Sequence, residues 1–180
     1  MTTALSHRIA TPADIPALHE VMRRAIEQLQ SDFLDSAQVA ASHKVMGLDS
    51  QLVADGTYFV VERDGCIAGC GGWSFRSTLF GGDDSVVMRE PERLDPASDA
   101  AKVRAMYTDP AFVRQGVGRY VLELCESAAR QAGFQRVELM GTAAGVPLYE
   151  SCGYVPLSPI QQWPVDGVEV PLIRMGKALT

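Results

Sequence analysis

A chain of 180 residues, 47% hydrophobic and 21% charged, has enough apolar mass for one soluble domain and its core, and too little length for two. Its formal charge of -6 leaves no basic excess for neutralising phosphates, which argues against a general nucleic-acid surface and leans slightly towards cationic partners. No stretch reaches the roughly 18 apolar residues of a membrane helix, so no membrane partner and a cytoplasmic location are expected. With three histidines (His7, His19, His43) and four scattered cysteines (Cys66, Cys70, Cys125, Cys152), no metal cluster is expected, and the cysteines read as reduced, mostly buried small hydrophobes.

Residues 7–11 form a short first strand. Thr11, Pro12 and Asp14 then supply a cap, a first-turn proline and an N3 acid. The run that follows puts Ile15, Leu18, Val21, Met22, Ala25 and Leu29 on one face, which predicts a helix over about 12–29. A less regular helical region spans 36–54, broken at Gly47 and Gly56. Residues 57–75 read as two strands around the turn Asp64-Gly65. The stretch 76–100 is predicted as a long loop with at most a short strand, placed to serve as a flap over a site. Strand character returns at 102–109. A helix is predicted at 117–131, with Val117, Val121, Leu124, Cys125 and Ala128 on its stripe and Gly133 as its stop. Residues 136–140 are a strand, GTAAG a loop, VPLYESCG a short helix and YVPL a strand. The turn VDG precedes the last strand. This order, β-α-α-β-β-β-α-β-α-β-β, predicts an α/β fold with one mixed central sheet flanked by helices.

The loop QGVG (115–118) carries the functional signal. A strand ends at Thr108-Asp109, Pro110 turns the chain, and Gly116 and Gly118 bare the backbone at the mouth of a helix. N–H groups there lack helical partners and can grip a phosphate, with Arg114 and Arg119 adding cationic charge. The plain alternative is a helix-start turn whose glycines only relieve crowding. A dinucleotide fingerprint fails because Val121 stands at the third glycine position, and a P-loop fails for want of Gly-Lys followed by Ser or Thr.

The stretch MYTDPAFVRQGVGRYVLELCESAARQAGF resembles the acetyl-coenzyme A binding core of the GCN5-related N-acetyltransferases. LYESCGY (148–154) is similar to a second signature of that family, and GCGGW (69–73) to its fourth strand, just ahead of the cofactor-binding strand. The resemblance spans roughly 7–177, within a single acetyltransferase domain covering 1–180. It implies an acetyl-CoA-dependent N-acetyltransferase, with acetyl-CoA as cosubstrate and no metal. Gly116 and Gly118 match the pyrophosphate-loop glycines, with Gln115, Val117, Arg114 and Arg119 around them. Met106, Tyr107 and Thr108 match the strand that pairs with the pantetheine arm, beside a splayed strand at 136–140. Val113 departs from the family's Arg or Gln, which implies weaker cofactor contact.

Tyr149 matches the family tyrosine that acts as general acid towards the leaving thiolate, since a phenol with a pKa of about 10 keeps its proton at neutral pH. Its plain alternative is a packed aromatic. The resemblance implies direct attack by a neutral primary amine, a tetrahedral species held by backbone N–H groups of the central strand, and proton return through Tyr149. No general base is singled out. Glu20, Glu27, Asp83, Asp84 and Asp109 are candidates, but each reads first as a solvated surface acid. Trp73 and Phe75 could line the acceptor pocket or be buried in the sheet. His19 and His43 read as surface or core residues, and neither Cys125 nor Cys152 has a base partner for covalent catalysis. A small-molecule amine is the expected acceptor. The alternatives are a protein or peptide amine, and a coenzyme A-binding sensor without turnover. Edge strands near 168–177 could pair two copies, so a homodimer is one expectation.

Overall fold

In the computed structural model, which describes residues 3–180, the chain opens with β1 (Ser6–Ile9) and a 3-10 turn (Pro12–Asp14). Three helices follow: α1 (Ile15–Leu29), α2 (Ser36–Ser42) and α3 (Ser50–Ala54). Next come β2 (Tyr58–Arg63), β3 (Cys66–Ser74), β4 (Ala101–Thr108), a second 3-10 turn (Pro110–Phe112) and α4 (Val117–Gln131). The last part holds β5 (Arg136–Thr142), α5 (Val146–Ser151), β6 (Val155–Pro156), β7 (Gln161–Val165) and β8 (Val168–Ala178).

The strands make one mixed sheet in the order β1-β2-β3-β4-β5-β8-β6, with β7 also paired to β8. Every pairing is antiparallel except β4 with β5. Helices cover both faces. On one, α4 buries Val117, Val121, Leu122, Cys125 and Ala129 against Phe59, Val61, Val103, Val137 and Leu139. On the other, α1 buries Leu18, Val21, Met22, Ala25 and Ile26 against Tyr58, Val60, Cys70 and Tyr107. Burial of each such Val or Leu contributes about 2 kcal/mol.

The helical region 36–54 breaks at Gly47 as expected: it is two helices, because Asp35 and Asp49 each cap a new start and Gly47 takes φ +123° between them. Three expectations need correction. The stripe of α4 is rotated: Leu122 and Ala129 are buried, while Leu124 and Ala128 only pack against the core's edge. The segment 161–165 forms β7, an edge partner of β8 whose Pro164 and two glutamines hid it. GCGGW lies in the third strand here, not the fourth.

The 76–100 stretch is a loop held down at many points. Thr78 and Glu90 exchange backbone and side-chain hydrogen bonds, Leu94 N–H donates to the Phe75 carbonyl, and Asp83 N–H donates to the Leu48 carbonyl.

Strand β4 positions the site. Opposite Gly71, two residues of β4 face one of β3, and Ala105 takes the left-handed conformation at φ +49°. This bulge strains a non-glycine residue. Tyr58 Oη donates to the Ala105 carbonyl (2.6 Å) and so helps hold it. Beyond the bulge β4 no longer follows its parallel neighbour. The β4–β5 pairing covers only Ala101–Val137 and Lys102–Glu138, although β5 runs on to Thr142. Lys102 Nζ to Glu138 Oε2 (2.9 Å) clamps the closed end. The open end is a wedge between two strands whose facing edges lack strand partners.

Candidate active site

One cleft of about 820 Å³ runs through that wedge and is lined from both faces of the sheet. On the α4 face it is bordered by Phe112, Val113, Arg114, Gly116, Val117, Gly118 and Arg119, and by Gly145, Leu148 and Tyr149 of the α5 region. On the α1 face it is bordered by Leu29, Gln30, Met46, Phe80, Gly81 and Leu172. Met106, Tyr107 and Thr108 line the middle.

The loop before α4 is built to present donors. Gly116, the N-cap, takes φ +82°, and a Cβ there would meet no atom within 4 Å. Arg114 is also left-handed, at φ +61°. Among the described residues, no backbone N–H from Val113 to Arg119 has a protein acceptor; the first bond of the helix is Tyr120 N–H to the Gly116 carbonyl. Consecutive free N–H groups at a helix start form an anion cradle. Gly118 has a further role. A Cβ there would lie 2.5 Å from Leu148 Cδ2, so its bareness seats α5 as well as opening the loop. Gln115 is the exception among the predicted residues. Its side chain is turned away to accept from Arg63 Nη1 (2.5 Å), and it does not border the cleft. Val113 is partly exposed at the cleft mouth, where it supplies no charge.

Tyr149 lies where α5 and β5 approach. Its ring packs over bare backbone: a Cβ on Gly141 would come within 3.4 Å of the ring, and one on Gly145 within 2.7 Å of Cε2. Tyr154 flanks it with ring centroids 6.0 Å apart. Burial pushes the phenol up to about 12, with the buried thiol of Cys125 and that of Cys152 adding to the shift. The proton is therefore held firmly at neutral pH. Gly145→Ala forces the ring to move, and a roughly tenfold fall in turnover is expected with an unchanged acetyl-CoA affinity. Steady-state kinetics beside a calorimetric titration checks this; an unchanged kcat would mean the ring's place is unimportant.

The candidate bases and pocket aromatics fare differently. Asp109 is buried, paired with Arg24, and caps the second 3-10 turn through Ala111 N–H (2.9 Å). Glu20 and Glu27 pair with Arg23 on the exposed side of α1. Asp83 accepts from Ser50 and Arg89, and Asp84 is exposed. None of these five carboxylates borders the cleft. Trp73 and Phe75 do not border it either: Trp73 is packed with Phe75 and Phe134 on the α4 face. His19 is exposed, His43 sits 3.9 Å from Glu27, and burial raises the Cys125 thiol well above its ordinary range.

Three features went unread in the sequence. Arg104, inside β4, is buried with Asp49 (3.2 Å) and the Gly81 carbonyl (2.6 Å), tying the 76–100 loop to the cleft wall. A charge amid KVRAMYT was its signal. Strand β5 continues through Gly141 and Thr142, which bring Tyr149 and Gln30 to the wedge. Gln30 itself carried no signal.

A family model described as the acetyltransferase (GNAT) family matches residues 21–154, most of the chain. Among solved structures, a GCN5-related N-acetyltransferase from Rhodopseudomonas palustris aligns with a TM-score of 0.70 at 17% identity, covering 99% of this chain and 98% of that one. The PaiA N-acetyltransferase from Thermoplasma acidophilum, solved with coenzyme A, gives 0.62 at 12% identity, covering 98% and 99%. A ribosomal-protein-alanine N-acetyltransferase from Brucella melitensis gives 0.63 at 21% identity, covering 97% and 99%. At these identities the likeness is one of fold. No curated protein matches the chain significantly.

Proposed function

This chain belongs to the acetyltransferase (GNAT) family, and from that premise we propose that it transfers the acetyl group of acetyl-CoA to a primary amine of a small molecule. The observation that carries the reading is the single cleft passing between β4 and β5, with an N–H cradle on one face and a walled apolar chamber on the other.

The site fits the cosubstrate. The cradle from Val113 to Arg119, opened by Gly116 and flanked by Arg114 and Arg119, suits a pyrophosphate. The unpartnered edge of β4 at Met106–Thr108 offers backbone groups to an amide-bearing arm threading the wedge. Bound there, acetyl-CoA supplies an activated thioester. The chain's own work is placement and proton handling. The narrow gap aligns the amine with the carbonyl, backbone N–H groups of β4 stabilise developing negative charge on oxygen, and Tyr149 gives its proton to the departing sulfur. The proton released by the amine nitrogen returns the tyrosine to its neutral form through water. Among the described residues the only carboxylate bordering the cleft is Asp32, exposed at its rim, and this want of a buried carboxylate favours an acceptor that arrives uncharged.

The 76–100 loop supports a small acceptor, because Leu79, Phe80 and Gly81 wall the α1 side of the cleft and Arg104 fastens them. Thiol release from acetyl-CoA, followed with primary amines and lysine peptides and with mass detection of the acetylated product, tests the reading. Turnover with small amines is expected. Release only with peptides would replace the acceptor class, and tight coenzyme A binding without any turnover would favour a sensor.

A further inference from the structure

We propose that the acceptor is a primary amine on a compact apolar body with no second cationic group, and that Gln30 receives its N–H. The proposal rests on the acetyl-transfer reading above and names the substrate class of the same site.

Strand alternation divides the wedge into two chambers. Val137, Leu139 and Gly141 of β5 face α4 and Tyr149, whereas Met140 and Thr142 face the α1 side. Tyr149, the proposed acid, therefore stands on one face, and the proposal brings the acceptor from the other. That second chamber is walled by Leu29, Phe33, Met46, Phe80, Met140 and Leu172. Its charges have the wrong sign for a polyamine. Among the described residues the cleft's single bordering carboxylate is Asp32, exposed at the rim, while the buried charge is the Arg104 guanidinium. Asp49, beneath it, is already taken by Arg104 and Arg89 and does not border the cleft. A second ammonium would sit in apolar surroundings near a cation, an arrangement that nothing offsets.

Gln30 is the polar exception. It is 5% exposed and follows the last residue of α1. Its Nε2 donates to Thr142 Oγ1 (3.1 Å), and its Oε1 is buried without a donor. Buried carbonyl oxygens rarely lack a partner. The terminal torsion of glutamine is broad, so the amide can turn to meet a donor in the chamber. An uncharged oxygen suits this chemistry better than a carboxylate would. A carboxylate holds the ammonium form and ties up the lone pair, whereas an amide oxygen accepts an N–H from the neutral amine and leaves the lone pair free to attack.

Calorimetric titration of the coenzyme A-saturated protein with 2-phenylethylamine, spermidine, glutamate and a lysine peptide tests this. The phenylethylamine is expected to bind at least roughly tenfold more tightly than the other three. Gln30→Leu, of similar volume, is expected to weaken that binding roughly fivefold or more, with melting temperature and coenzyme A affinity as its folding controls. Gln30→Glu is expected to restore binding but shift the rising limb of the pH–rate profile to higher pH, as the ammonium form is held. Preferred binding of spermidine or the peptide would overturn the proposal, as would preferred binding of glutamate, which would mean that the amide presents its NH2 side. So would unchanged phenylethylamine affinity in Gln30→Leu. Failure of coenzyme A itself to bind would instead remove the acetyl-transfer reading beneath it.

Discussion

Tyr149→Phe lowers kcat by about two orders of magnitude and leaves the affinity for acetyl-CoA within about twofold. The substitution keeps the ring over Gly141 and Gly145 and beside Tyr154, so packing survives and only the acidic proton is lost. A residue acting in the transition state moves kcat and kcat/KM together, and that pattern separates acid catalysis from a scaffold role. The pH dependence has a definite sign. Deprotonation would remove the acid, and burial pushes the phenol up to about 12, so no loss of activity is due to this group until the pH approaches that value. Below it the rate rises with pH as the acceptor amine loses its proton. A Tyr149→Phe enzyme with near-normal kcat would strip the tyrosine of its role, and water would have to protonate the thiolate.

Asp49→Ala destabilises the protein by about 3–5 kcal/mol, which at this size lowers the melting temperature by roughly 6–20 °C. Asp49 and Arg104 are each almost wholly buried, with side chains 3% and 2% exposed. Burial pulls the Arg104 pKa down, and the Asp49 carboxylate, its nearest compensating charge, works against that pull. Without the carboxylate the guanidinium keeps only the Gly81 and Thr78 carbonyls. Arg89 loses a partner at 2.8 Å, and α3 loses the cap that Asp49 gives to Gln51 N–H. Because these arginines fasten the 76–100 loop, the acceptor chamber should loosen with the fold, and proteolysis within 76–93 should quicken before global unfolding. Replacing both partners by apolar residues should recover much of the loss, since the unpaired charge and not the missing bond dominates. A melting temperature within about 3 °C of the parent would mean that water reaches Arg104 and the pair is not buried in solution.

Much of this architecture was legible because its residues obey local rules. The helix 117–131 follows from apolar periodicity and the flanking glycines, and the hairpin at Asp64-Gly65 from its turn chemistry, with both residues left-handed. The phosphate-loop glycines were visible too, though only their three-dimensional surroundings separate Gly116, which faces open space, from Gly118, which seats Leu148. What escaped depends on partners distant in sequence. Arg104 finds Asp49, 55 residues away, and Gln30 finds Thr142, 112 residues away. Strand β7 exists only because β8 offers it an edge. The open readings of Trp73 and Asp109 were decided in the same way: each residue type suits a pocket or a base as well as a plainer place, and tertiary packing put one in the α4-side core and the other against Arg24.

The central claim is that the free N–H groups before α4 and the unpaired edge of β4 together bind acetyl-CoA. Amide hydrogen exchange with and without coenzyme A tests it most directly. The prediction is strong protection across 113–119 and at Met106–Thr108 on ligand addition, with little change on β1 and β2, far from the wedge. Saturating coenzyme A that leaves those amides exchanging freely would contradict it, and the wedge between β4 and β5 would then need another ligand.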